Sequence, residues 1–155
     1  MSMQTTMIYG YGFTCENIRE DAFKVFIETH KDTIREHGSK DEQDLLKEII
    51  DNPECDIDEL EENFPIEDFG SFNENLYSVI SNIIYYETNI RVGFYRGSHD
   101  EIDCDSSIML QQSMPWYFNE TEKKLTKTEL HDILAKYADE LYMPKPEEIT
   151  MEYFG

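Results

Sequence analysis

Apolar residues recur along this chain with two different periods, and the clearest change of period falls between Ser71 and Arg96. There the sequence reads SFNENLYSVISNIIYYETNIRVGFYR. Phe72, Leu76, Val79, Ile80 and Ile83 share one helical face, and Ile90, Val92 and Phe94 then alternate with Arg91, Gly93 and Tyr95 as in a half-buried strand. Ser71 with Glu74 forms a capping box that satisfies the free N–H groups of the helix start. An apolar helix feeding directly into a strand is expected to form the centre of the core.

The same pattern orders the rest of the chain. Met7 to Phe13, MIYGYGF, reads as a first strand, with Tyr9, Tyr11 and Phe13 on one face and Gly10 and Gly12 on the other, where a helix is expected to pack closely. A helix is predicted over residues 15–37, capped by Thr14 and stopped at Gly38. One stripe carries Ile18, Ala22, Val25 and Phe26, and a second carries Phe23, Ile27, His30 and Ile34. His30, set within an apolar stripe, reads as a hydrogen-bonded core residue. Ser39 with Glu42 opens a helix with Leu45, Leu46, Ile49 and Ile50 on one face, ended by Asn52-Pro53. A short helix follows from Asp56, with Ile57, Leu60 and Phe64 inward, and Pro65 breaks it. After the central helix and strand, Ser106 to Gln112 is predicted to pair with 90–96 as a long-looped hairpin. Thr126 with Glu129 caps a helix bearing Leu130, Ile133, Leu134, Tyr137, Ala138 and Leu141, terminated by Pro144 and Pro146. Residues 149–154 supply an edge strand. The order β-α-α-α-α-β-β-α-β predicts one α+β domain over residues 1–155: a small, mostly antiparallel sheet of about four strands covered by about five helices.

Composition sharpens this picture in two ways. Aromatic residues are plentiful, with 10 Tyr and 9 Phe, so the chain is no disordered acidic tail. No apolar run is long enough to span a membrane. The N-terminal MSMQTTMIYGYGF lacks a basic region followed by an apolar core, so no signal peptide is expected. Cys15, Cys55 and Cys104 form no CxxC pair, which fits a reduced, cytoplasmic setting.

The second change comes from charge. Asp and Glu total 34 against 13 Lys and Arg, a formal net charge of −21. Such a surface repels nucleic acid and anionic membranes and attracts basic proteins. The segment from Asp41 to Asp68 holds 13 acids and one base, Lys47, and so carries −12 of the −21. Its capping signals and apolar stripes predict that it is ordered. Asp56, Asp58, Glu59, Glu61, Glu62, Glu67 and Asp68 can then form a rigid array, because carboxylates at i, i+3 and i+4 lie roughly 5–6 Å apart. The gap between phosphates along a nucleic-acid strand is of the same order. A solvated helical face that only keeps the protein soluble is the plainer reading of the same charges.

Catalytic signals are sparse. There is no HExxH, P-loop, GxSxG or kinase pattern, and Gly10-Tyr11-Gly12 lacks the third glycine of a dinucleotide loop. Cys15 is the most plausible nucleophile, placed by the prediction at a helix N-terminus that lowers a thiol pKa, but no motif sets His30, His37, His99 or His131 beside it. Residues 56–67 fail as a calcium loop, since Leu60 and Glu61 replace the required oxygen ligand and glycine, and Pro65 intrudes. The 99–105 loop, with His99, Asp100, Glu101, Asp103, Cys104 and Asp105, gathers metal-type ligands without a standard spacing. No cofactor is implied. Met114 to Phe118, MPWYF, is an aromatic turn in which Trp116 suits an interface, or else covers the sheet edge.

The expected function is therefore that of a small acidic, non-enzymatic interaction protein. It would bind a basic, nucleic-acid-handling protein by imitating nucleic-acid charge, without binding nucleic acid or membrane itself. Inhibitors of this size and charge are often carried by phages or mobile elements, an analogy only. Two other classes stay open: a thiol- or metal-dependent enzyme using Cys15 or the 99–105 loop, and a self-associating accessory protein with 114–118 at a subunit contact.

Overall fold

The computed structural model describes residues 6–15, 19–64, 66, 76–96 and 106–153. Within them the chain runs β1 (Thr6–Thr14), α1 (Glu20–Thr29), α2 (Lys31–His37), α3 (Lys40–Asp51), α4 (Ile57–Asn63), α5 (Leu76–Thr88), β2 (Gly93–Arg96), β3 (Ser106–Gln111), a 3-10 turn (Pro115–Tyr117), α6 (Glu120–Lys124), α7 (Lys127–Glu140) and β4 (Glu147–Tyr153). This is the expected α+β order, with seven helices among the described residues instead of about five. The long predicted helix is broken at His30, and a short α6 precedes α7.

The four strands form one antiparallel sheet in the order β2-β3-β1-β4. The predicted hairpin is present, with Gly93 opposite Met109 and Arg96 opposite Ser106. The C-terminal strand is the edge strand expected, pairing Thr6 with Tyr153 through Gly12 with Glu147. Period-2 alternation gives the sheet two faces. Tyr11, Phe13, Phe94, Ile108 and Leu110 join the helices in the main core, while Ile8, Tyr95, Met109, Ile149 and Met151 form a smaller buried cluster on the other face.

Helix α5 is the core element that its pattern predicted. Leu76, Val79, Ile80, Ile83 and Ile84 are buried, and so are the polar Ser78, Ser81 and Asn82, so burial extends well beyond one stripe. Its predicted capping box, Ser71 with Glu74, lies outside the described residues. Asn89 ends the helix at φ 62°, a left-handed geometry that Asn tolerates, and its N–H bonds the Tyr85 carbonyl.

Several expectations need correction. The strand begins at Gly93, after Ile90 and Val92, and is not half-buried: Phe94 and Tyr95 point to opposite faces and both are buried. No helix sits on Gly10 and Gly12. Strand β3 approaches so closely that a Cβ at Gly12 would stand 2.0 Å from the Ile108 carbonyl oxygen, and the Met109 side chain occupies the space over both glycines. Val25 and Ile50, expected inward, are exposed. Thr14 belongs to β1 and is not the cap of α1. The N-cap of α1 is Arg19, which makes no side-chain capping bond. Gly38 does stop α2, in an extended conformation.

Candidate functional site: the acidic α3–α4 face

Helix α3 starts from the predicted capping box: Ser39 Oγ accepts from Glu42 N–H, and Glu42 Oε1 accepts from Ser39 N–H. Tertiary packing then removes Glu42 from the acidic surface. Its carboxylate is fully buried and also accepts from the Tyr86 hydroxyl at 2.7 Å and the Asn82 amide at 3.0 Å. Burial beside this carboxylate pushes the Tyr86 phenol up.

The acids of α4 behave differently. Leu60 is buried and Ile57 and Phe64 half-buried, which turns Asp58, Glu59, Glu61 and Glu62 to solvent. Asp56 is the N-cap, and its Oδ1 accepts from Asp58 N–H at 3.0 Å. Among the described residues none of these five carboxylates is ion-paired with Lys or Arg. The helix is braced from α1. Glu20 Oε1 accepts from Ile57 N–H at 2.8 Å, and Lys24 Nζ donates to the carbonyls of Pro53 at 2.8 Å and Cys55 at 2.5 Å. Glu67 and Asp68, the other members of the expected array, lie outside the described residues.

Lys24 thus holds the α3–α4 connection. Lys24→Met is expected to cost about 1–2 kcal/mol by stranding two carbonyls. It is also expected to speed amide exchange at residues 55–58 while leaving α7 protected. Hydrogen exchange read by mass spectrometry checks both parts.

Sequence reasoning passed over a second polar centre. Buried His30 stands between two carboxylates, with Nδ1 2.7 Å from Glu87 Oε2 on α5 and Nε2 2.8 Å from Glu140 Oε2 on α7. Glu87 also accepts from the Thr33 and Tyr137 hydroxyls, at 2.6 and 2.7 Å. Burial raises the Glu87 carboxyl, but the bonds from Thr33, Tyr137 and His30 outweigh it and hold it below the usual range. Burial, with Glu87 beside it, pushes the Tyr137 phenol up. The expectation that His30 is a hydrogen-bonded core residue holds. Its partners, 57 and 110 residues away in the chain, left no local signal.

A third centre joins Arg91 to Glu122, whose side chain is fully buried. Arg91 Nη2 lies 2.9 Å from Glu122 Oε1, Arg91 Nε and N–H bond Glu122 Oε2, and Arg91 Nη2 also donates to the Tyr117 carbonyl. Burial raises the Glu122 carboxyl, but bonds from Arg91 and Asn119 prevail and lower it. This pair anchors the aromatic turn, where Trp116 and Tyr117 are 70% and 65% exposed. Trp116 therefore does not cover the sheet edge.

The catalytic candidate loses its premise. Cys15 follows β1 directly, its N–H bonded to the Ser106 carbonyl at 2.7 Å, and α1, the first helix among the described residues, starts only at Glu20. Burial pushes its thiol far up, away from the reactive thiolate. Two adjoining hollows of about 140 and 210 Å³ meet at Leu110, Phe118 and Glu122, and neither is lined by Cys or His. Among the described residues no group of three or more His, Cys, Asp or Glu is arranged to hold a metal. The 99–105 loop lies outside them. No helix among them is long and apolar enough to cross a membrane. Comparison with protein-family models, curated proteins and solved structures finds no match.

Proposed function

We propose that this protein is a non-enzymatic interaction protein whose α3–α4 face binds a basic protein partner. The observation that carries the reading is the set of exposed carboxylates of Asp56, Asp58, Glu59, Glu61 and Glu62, without a Lys or Arg ion pair among the described residues, on a helix braced by Glu20 and Lys24. An array already held in place spares the ordering entropy that a floppy acidic tail would lose on binding. Its spacing suits side chains that grip successive phosphates, so the partner class is a nucleic-acid-handling protein, blocked by charge imitation. The free Cys15 and Cys55 are in keeping with a reducing, cytoplasmic setting. Carriage by a phage or mobile element is part of the same proposal, by analogy.

The test is capture of partners from lysate at low and high salt, with bound proteins identified by mass spectrometry and competed with nucleic acid. The combined substitution Asp58→Asn, Glu59→Gln, Glu61→Gln and Glu62→Gln is expected to weaken capture about 10- to 100-fold and to flatten its salt dependence. Exposed charge contacts contribute about 0.2–1 kcal/mol each, and screening acts on them all. Unchanged capture with unchanged salt dependence would sink the proposal.

A further inference from the structure

Strand β4 lies at the edge of the sheet, and the register fixes which of its backbone groups have partners. Tyr9 turns its N–H and carbonyl toward β3, where Ser113 Oγ and Gln112 N–H meet them, and Cys15 N–H bonds the Ser106 carbonyl on the same side. Backbone groups alternate sides along a strand, so Ile8, Gly10 and Gly12 turn theirs toward β4. Their partners there are Met151, Ile149 and Glu147. The N–H and C=O groups of the residues between, Glu148, Thr150 and Glu152, therefore point away from the sheet. Glu148 and Thr150 are exposed, and among the described residues β4 pairs with β1 alone.

This edge is long and regular. β4 has seven residues in unbroken register with β1, with neither the bulge nor the proline that commonly blunts an edge, whereas the opposite edge strand, β2, has four. Outward donors and acceptors at strand spacing are complementary to another extended chain, which supplies the same groups at the same spacing. Charge decides which chain. β4 carries three Glu and no base. Lys127 reaches Glu148 at 2.5 Å, and exposed Glu147 has no Lys or Arg ion pair among the described residues. A second copy paired symmetrically about Thr150 would set position 148 opposite position 152 twice, and like charges placed opposite destabilise a strand pair. It would also bring together two chains of −21 each. We propose that β4 takes an extended, Lys- or Arg-bearing segment of the partner as a fifth strand of the sheet. This rests on the reading of the chain as a binder of basic proteins. It adds a grip directed by the backbone, separate from the carboxylates of α4.

The probe is a short synthetic peptide of alternating threonine and lysine, labelled for fluorescence anisotropy. One control is the same peptide N-methylated at every amide, which keeps the charge and removes every backbone donor. The other has glutamate for lysine. The threonine–lysine peptide is expected to bind at least about tenfold more tightly than either control. It is also expected to slow amide exchange at Glu148, Thr150 and Glu152, read by NMR. Thr150→Pro removes one outward N–H and no bond to β1, a place where an edge strand tolerates proline. It is expected to abolish the tenfold preference while the circular-dichroism melt stays within a few degrees. The proposal is overturned if the N-methylated peptide binds wild type equally well, since charge alone would then hold it. It is also overturned if the free protein forms a concentration-dependent dimer that Thr150→Pro loses, since a second copy would then be the occupant. Loss of the peptide by the neutralised α4 variant, with full affinity kept by Thr150→Pro, would leave the acidic-face reading standing and sink the edge. Tight binding of the peptide by that α4 variant, with unchanged lysate capture, would support the edge and sink the acidic face.

Discussion

Replacing His30 with alanine is expected to lower the unfolding free energy by about 3–4 kcal/mol, read as a drop in the urea midpoint. Hydrogen bonds to charged groups contribute about 1.5–3 kcal/mol each, and His30 faces a carboxylate from each ring nitrogen while only 6% exposed. Glu87 and Glu140 both retain some contact with water, which moderates the cost of leaving them without the ring. The imidazole also packs on Phe26, with ring centroids 4.5 Å apart, so His30→Phe is expected to recover about 1 kcal/mol of packing and none of the polar part. The carboxylates only accept, so both contacts are hydrogen bonds only when both ring nitrogens carry hydrogen. The pH dependence follows from Glu87, whose folded-state carboxyl lies below its ordinary value of 4.5. A lowered carboxyl contributes stability that is present above the unfolded value and lost as pH falls through the folded one. Wild-type stability is therefore expected to decline from about pH 4.5 downward, and Glu87→Gln to be less stable at neutral pH with a flatter acid limb. An unchanged acid limb in Glu87→Gln would mean that the Thr33, Tyr137 and His30 bonds do not hold the carboxylate in its charged form.

Arg91→Met is expected to cost about 2–4 kcal/mol, which corresponds to a melting shift of roughly 4–16 °C for a domain of this size. Removing one partner of a buried ion pair leaves the other charge uncompensated, and the Glu122 side chain has no exposure to water. The loss falls short of the largest such cases because two backbone donors remain, Arg91 N–H at 2.8 Å and Asn119 N–H at 2.9 Å. Arg91→Met combined with Glu122→Met is expected to be less damaging than Arg91→Met alone, because two apolar groups leave no stranded charge. A double-mutant cycle measures the coupling. The same substitution frees the Tyr117 carbonyl, which Arg91 now holds, so Trp116 emission is expected to change in Arg91→Met even well below the melt. Equal stability of Arg91→Met and wild type would show that the two backbone donors alone satisfy Glu122.

These two centres show where the chain was legible. Capping boxes are relations between residues three apart, and the boxes at Ser39 and Thr126 were read correctly because both partners sit in one turn. Local patterning does not say whether a capping glutamate is wet or dry. Glu42 and Glu129 occupy the same N3 position, yet Glu42 is buried under Tyr86 and Asn82 while Glu129 is exposed. A third box, Asn119 with Glu122, escaped notice, and its glutamate is the buried partner of Arg91. Counting every acid from Asp41 to Asp68 as surface charge overstated the face by at least Glu42. Among the described residues Asp41, Asp51 and Glu54 stay exposed together with the acids of Asp56 to Glu62.

The helical stripes, the change of period after α5, the edge position of β4 and the excess of negative charge were all set by the sequence itself. Each depends on residue type and short spacing, which act before the chain closes on itself. The tertiary structure alone decided that α1 and α2 break at His30, that Met109 and not a helix fills the space over Gly10 and Gly12, and that Cys15 directly follows a strand. It also decided which glutamates are buried. Those outcomes depend on partners dozens of residues away, brought within about 3 Å only by packing, and no local period encodes a contact of that range.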